Sequence, residues 1–262
     1  MPPPREYQTE AVIIRKTRLG EADRIITIYT PGLGKLQAVA KAVRKPKSKL
    51  SGHLELLTHS QITLARGRNL DTIIGSQAIN SFLPLRNSLE ATSAGLYLAE
   101  LINLFTAEAD RIDNQKLFRL LVSTLEQLSQ GAACNTCLRY FEIQLLGYTG
   151  YRPQLKACPI CRQPLEPVTN IFSPGAGGVL CEHCAASQAL PYSISVNGLK
   201  VLRLFQDCAI TTALRLKLST ELNLELEKLL RSYCRYILER EVKSATWLDS
   251  LKMFNVNKPL SP

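Results

Sequence analysis

No stretch of this 262-residue chain reaches the roughly 18 uninterrupted apolar residues of a membrane span, and Met1-Pro-Pro-Pro-Arg5 lacks the apolar run of a secretory signal. A cytoplasmic protein is therefore expected. Phosphate-loop, Gly-x-Ser-x-Gly and His-Glu-x-x-His motifs are all missing, and the three histidines, His53, His59 and His183, are scattered. A nuclease would need grouped carboxylates for metal ions, but Glu221, Glu225, Glu227, Glu239 and Glu241 fall on helix faces as solvated charges. With no residues to carry catalysis, the expected role is not enzymatic.

What the chain does have, besides 45% apolar residues to fill packed cores, is eight cysteines. Four stand as Cys158-Pro-Ile-Cys161 and Cys181-Glu-His-Cys184, with nineteen residues between the pairs. Each Cys-x-x-Cys makes a tight turn that points two thiolates at one centre. Two such turns complete a four-coordinate sphere with no open position, the pattern of a structural zinc ribbon. Pro164, Pro167, Pro174 and Gly175-Ala-Gly-Gly178 leave the segment no long helix or core of its own, so one zinc ion is expected to hold it. Two disulfides or four buried thiols are the alternatives, and a cytoplasmic address disfavours the disulfides. His183 is a rival fourth ligand to Cys184, but choosing it would break the second Cys-x-x-Cys turn. A further pair, Cys134-Asn-Thr-Cys137, runs directly into a helical apolar pattern and reads as core or surface thiols.

Net charge is +10, and residues 1–80 hold 13 Lys and Arg against 6 Asp and Glu. A surplus concentrated in this way points to a polyanion. The same region reads as five short strands, Ala11–Ile14, Arg24–Tyr29, Leu36–Ala40, Leu54–Leu64 and Thr72 onward, which suggests a small barrel. Its longest connection, Lys41 to Gly52, contains Lys41, Arg44, Lys45, Lys47 and Lys49 and no acid. With Lys35, Arg66 and Arg68 from neighbouring turns, eight cations could follow a phosphate backbone. Tyr7, Tyr29 and Phe82 are the region's aromatic side chains, too few for extensive base stacking, so backbone contacts should dominate.

Beyond Pro84 the apolar spacing becomes helical. It runs from Ser88 through Phe105, from Asn114 to Gln130 with Gly131 as a stop, from Asn135 to Leu146 with Gly147 as a stop, and then over Val196–Asp207 and Thr220–Val242. The resulting class is α+β: a barrel over 1–82, a helical domain in two parts (83–155 and 188–250), an inserted four-cysteine zinc-binding segment (156–187), and a loose tail (251–262).

Together the order of elements and several local words resemble the RecO family of bacterial recombination mediators. Those words are Glu21-Ala-Asp-Arg24, Gly34-Lys35, Val43-Arg-Lys-Pro-Lys-Ser48, Arg66-Gly-Arg-Asn-Leu-Asp-Thr72, Phe141-Glu-Ile-Gln-Leu-Leu-Gly-Tyr148 and the four-cysteine segment. The resemblance implies an N-terminal OB-fold, a helical domain and a zinc-binding segment. It also implies binding of single- and double-stranded DNA, annealing of complementary strands, a nucleoid-associated location, and three protein partners. These are the acidic tail of single-stranded DNA-binding protein, RecR, and, indirectly, RecA. DNA contacts would fall on Lys35, Lys41, Arg44, Lys45, Lys47, Lys49, Arg66 and Arg68, and zinc on Cys158, Cys161, Cys181 and Cys184. One departure is Ala42, where relatives commonly have Gly; a Cβ there resists positive φ. An adaptor that recruits proteins through its helices, with incidental DNA contact, is the competing reading. A zinc-ribbon transcription or RNA factor fits less well, because Glu166 and Glu182 offset Lys156 and Arg162 and the charge sits on the barrel.

Overall fold

Alternating apolar residues over the first eighty positions build five strands: β1 (Glu6–Leu19), β2 (Asp23–Thr30), β3 (Gly34–Ala40), β4 (His59–Ala65) and β5 (Asp71–Asn80). They close in the order β1-β2-β3-β5-β4, with β4 returning to β1 and only β3 and β5 parallel. This is the expected five-stranded OB-fold. The computed structural model describes residues 5–45, 48, 50–108, 112–186 and 192–256.

Inward positions of the strands, among them Ile13, Ile26, Ile28, Ala38, Ile62 and Leu64, form the barrel core. The run expected from Leu54 begins its ladder only at His59, after a 3-10 turn at Ser51–His53. Leu54 is apolar because it joins the barrel core and Leu57 because it packs under α2 near Gly95, not because they pair in a strand. Leu57 takes positive φ so that its N–H reaches the Ile13 carbonyl, while Ile13 donates to Thr58; both bonds lie beside the β1 bulge.

The helices are α1 (Leu83–Arg86), α2 (Leu89–Phe105), α3 (Asn114–Ser129), α4 (Cys134–Tyr148), α5 (Glu182–Ala185), α6 (Val196–Asp207), α7 (Ile210–Ala213), α8 (Thr220–Leu238) and α9 (Lys243–Val256). Side chains of Ser88, Asp113, Ser195 and Ser219 cap α2, α3, α6 and α8, taking up amide protons that the first turn leaves without carbonyl partners. Gly131 follows α3 at φ 83 as expected, but Gly147 lies inside α4, and the left-handed stop there is Gly150 at φ 89. The apolar pattern read through to Val242 is helical only as far as Leu238, where α8 ends and Glu239 turns left-handed.

Residues 170–194 contribute β6 (Asn170–Ser173), β7 (Gly178–Leu180) and β8 (Tyr192–Ile194), paired in the order β7-β6-β8. Their buried Phe172, Val179 and Ile194 give the cysteine segment more core than its glycines and prolines suggest, and Phe172 meets Tyr233 of α8 edge to face at 5.2 Å.

Two compact units result: 1–131 with 242–262, and 132–241. The division falls inside the helical region that periodicity alone reads as one domain. In the first unit α2 packs on β1, α3 and α9; in the second, α4 packs on α6 and α8. Helical period marks an apolar stripe without naming the surface that covers it. Among the described residues no helix is long and apolar enough to cross a membrane.

Candidate metal centre and nucleic-acid interface

The two cysteine turns are brought together by a close backbone approach. Gln154, four residues before Cys158, donates to the Gly177 carbonyl at 2.9 Å and accepts from Val179 at 2.8 Å, so it pairs with β7 just upstream of Cys181. Gly178 permits this, because a Cβ there would stand 2.4 Å from the Gln154 carbonyl oxygen. The first turn closes through Arg162 N–H to the Cys158 carbonyl at 2.8 Å and Cys158 N–H to Gln163 at 2.9 Å, with Arg162 at φ 62. Cys181 then caps α5, and its carbonyl accepts from Cys184 at 3.1 Å and Ala185 at 3.0 Å.

The sulfurs of Cys158, Cys161, Cys181 and Cys184 lie within 4.8 Å of one another, and those of Cys161 and Cys181 are 3.6 Å apart. The edge of a tetrahedron with metal–sulfur bonds of about 2.3 Å is roughly 3.8 Å, so the cluster has the size to hold one ion. No two of these sulfurs are bonded as a disulfide, and His183 is exposed and outside the cluster. Burial works against the Cys158 thiolate, but N–H groups of Cys161, Cys181 and Ile160 outweigh it and bring its thiol down to about 6. Cys184 is driven the other way, to about 12, by desolvation and by the neighbouring sulfurs. Four crowded thiols cannot all ionise without a cation among them, and the residues fit a metal ion. Cys137 of the other pair is fully buried in α4, away from the cluster, and burial raises its thiol to about 12.

Six of the eight cations singled out in the barrel region lie among the described residues, and these six do not come together at one end. Strand register places the β1–β2 turn and the connection after β3 at one end of the barrel, and the β2–β3 and β4–β5 turns at the other. At the first end lie Lys41, Arg44 and Lys45, all exposed. Their loop is pinned to the β1–β2 turn: Arg44 donates its N–H to Ala22 (3.0 Å) and its guanidinium to Glu21 (2.7 Å), and Ala42 donates to Asp23 Oδ1 (2.7 Å). Ala42 adopts φ 51, the left-handed conformation its Cβ resists. Lys47 and Lys49 lie outside the described residues.

At the other end Arg66 and Arg68 are exposed, with the Arg66 guanidinium 4.9 Å from the Tyr7 ring centroid. Tyr7 in turn donates to Asp71 Oδ2 at 2.5 Å, and burial together with this bond pushes its phenol to about 12. Lys35 is spoken for. Its ammonium donates to the carbonyls of Asn103 (2.8 Å) and Thr106 at the C-terminal end of α2, where positive charge offsets the helix dipole. Tyr29 and Phe82 are buried, leaving Tyr7, already under Arg66, as the barrel's exposed-side aromatic. Reading cations by connection missed Arg18 and Arg24, which the β1–β2 hairpin carries to the same end as Lys41. The alternation Lys16-Thr-Arg18, just past the recognised apolar run, was their trace in the sequence.

A family model described as the Recombination protein O N terminal matches residues 1–82, and one for its C terminal matches residues 86–246. The chain belongs to the RecO family of DNA repair proteins. It is 47% identical over 253 residues to the DNA repair protein RecO of Dehalococcoides mccartyi strain CBDB1, covering 97% of this chain and 99% of that protein. The RecO proteins of Roseiflexus sp. strain RS-1 and Desulforamulus reducens are 42% and 33% identical, covering 98% and 96% of this chain and 90% and 97% of theirs. Similarity therefore runs through both family segments, barrel and cysteine unit alike.

Proposed function

We propose that this protein is a recombination mediator: it binds single- and double-stranded DNA by the phosphates, anneals complementary strands and, with RecR, helps load RecA on strands covered by single-stranded DNA-binding protein, whose acidic tail it engages. Family membership supports the repair role. The observation that carries the DNA contact is the barrel end where Lys41, Arg44 and Lys45 stand exposed on a loop fixed to the β1–β2 turn. Cations held in place along a backbone neutralise the repulsion between two strands and leave base edges free to pair, so annealing needs no nucleotide fuel. The scarcity of uncovered aromatic rings on the barrel agrees with contacts that are weakly selective for sequence.

In this reading Cys158, Cys161, Cys181 and Cys184 hold a structural zinc ion. A set of four thiolates suits zinc, and a closed sphere gives it no site for substrate, so what the ion supplies is fold stability. The test is binding of a fluorescent oligonucleotide across a salt series by the parent and by Lys41→Ala/Arg44→Ala/Lys45→Ala, with folding matched by circular dichroism. A steep slope in the parent that flattens in the variant supports the mediator; weak binding that the substitutions leave unchanged favours the protein-recruiting adaptor.

A further inference from the structure

On the β1–β2 ladder Arg18 stands directly opposite Arg24, and Arg24 stands opposite Ala40 on β3. The row Arg18–Arg24–Ala40 therefore crosses three strands on one face, and the residue after Ala40 is Lys41. Like charges set directly opposite destabilise an antiparallel ladder. One row inward, on the same face, Lys16 opposes Ile26, which opposes Ala38. There the cation is compensated, for Lys16, its side chain only 11% exposed, meets Glu55 at 2.7 Å. Neither Arg18 nor Arg24 has such a carboxylate among the described residues. Asp23 opposes Leu19, on the other face from Arg24, and its Oδ1 is taken by the Ala42 N–H. The deep position thus carries its own counter-charge, while the rim position, where Arg18 is exposed and Arg24 half-buried above the core residues Ile26 and Ala38, keeps two opposed guanidinium groups.

We infer that Arg18 and Arg24 form a clamp for a single phosphodiester, whose two non-bridging oxygens accept from both guanidinium forks. Planar forks are suited to that geometry. The clamp rests on the DNA-binding reading of this barrel end and deepens it: the hairpin, with the 41–45 loop pinned to its turn by Arg44 and Ala42, holds the arginine pair at the barrel end that also carries Lys41. The ligand's class is a nucleic-acid backbone rather than a base, since the row holds no aromatic ring.

The experiment compares the parent with Arg18→Gln, Arg24→Gln and the double variant, using a mixed-sequence single-stranded oligonucleotide across a salt series and thermal melting without DNA. A shared phosphate predicts that each single change, which leaves one guanidinium on it, weakens binding with the slope largely retained. The double variant should lower the slope by roughly 0.7, the value of one single-strand contact. Without DNA at low salt, the melting temperature should hold or rise as the charge opposition is relieved. Arg24→Lys, keeping charge without the fork, serves if Arg24→Gln folds poorly, and should bind more weakly than the parent with its slope largely retained. A parent that binds steeply while the double variant keeps its slope would overturn the clamp and leave the DNA-binding reading standing. A slope loss of about 0.7 in each single variant, adding to about 1.4 in the double, would overturn the sharing of one phosphate. A parent that does not bind the oligonucleotide removes the reading itself, and the clamp with it.

Discussion

Glu100, on α2, accepts both the backbone N–H and the hydroxyl of Ser244, at 2.7 and 2.5 Å through Oε2, while its Oε1 takes the Lys243 N–H at 3.1 Å. A carboxylate 144 positions upstream thus serves as the cap of the C-terminal helix, satisfying amides that the first turn cannot and placing negative charge at the positive end of its dipole. Glu100→Ala should destabilise the protein by about 1–2 kcal/mol, the range of a lost cap, with Glu100→Gln losing less. Urea unfolding of the two variants against the parent checks it.

Ala42 is left-handed because Asp23 holds its N–H at one end of the loop and Arg44 ties the other end to the β1–β2 turn. That conformation costs an L-residue roughly 1–2 kcal/mol, part of which glycine returns through its freer unfolded chain. Ala42→Gly should therefore raise stability by up to about 1 kcal/mol without moving the salt slope of DNA binding. The same change at Ala40, buried in β3, should lower stability.

Gly178 is the point at which the segment leading to Cys158 runs alongside the strand leading to Cys181, bridged to it at Gln154. Adding a Cβ there drives it against backbone, which cannot rotate away. Gly178→Ala should reduce bound metal and soluble yield together, whereas Gly147→Ala, which meets nothing within 4 Å, should leave both unchanged. Metal content by elemental analysis decides between them.

Cys158→Ser leaves three thiolates in a cluster sized for four. It should lower metal occupancy and melting temperature, and a strong chelator should do the same to the parent. Cys134→Ser should retain the metal, since its sulfur is not part of the cluster. Full stability in Cys158→Ser, with no metal in either protein, would sink the structural-zinc reading.

Lys35→Ala should separate from the loop variants. Its ammonium is bound to α2 carbonyls, so its loss is expected to cost about 1 kcal/mol of stability and to change the salt slope little. Lys41→Ala and Lys45→Ala should do the reverse. Paired unfolding and binding measurements on the three variants test the division.

Strand positions were legible because inward residues recur at every second place, and the cysteine cluster because its spacing is nearly a coordinate set in itself. Helix starts were legible from apolar spacing, which begins at Ser88, Val196 and Thr220, within a residue of the serines that cap α2, α6 and α8. The destination of each side chain could not be read. Lys35 and Lys41 are the same residue type in neighbouring connections, yet one is tied to a helix end and the other stands exposed at the opposite end of the barrel. Which end a turn occupies depends on register, and register is set by pairing between residues far apart in sequence. The alliance of α9 with α2 was hidden for the same reason, its cap being a single glutamate in the middle of another helix.

That alliance imposes an order on synthesis. The unit that contains the barrel is made of 1–131 and the segment from Val242 onward, so all of 132–241 must leave the ribosome before α9 can reach Glu100. At about 5–20 residues per second, the face of α2 that α9 will cover waits roughly 7–30 s for its partner. During that interval the nascent barrel unit presents an incomplete apolar surface, a natural target for chaperones, and a chain stopped short of Lys243 would keep that surface for its lifetime.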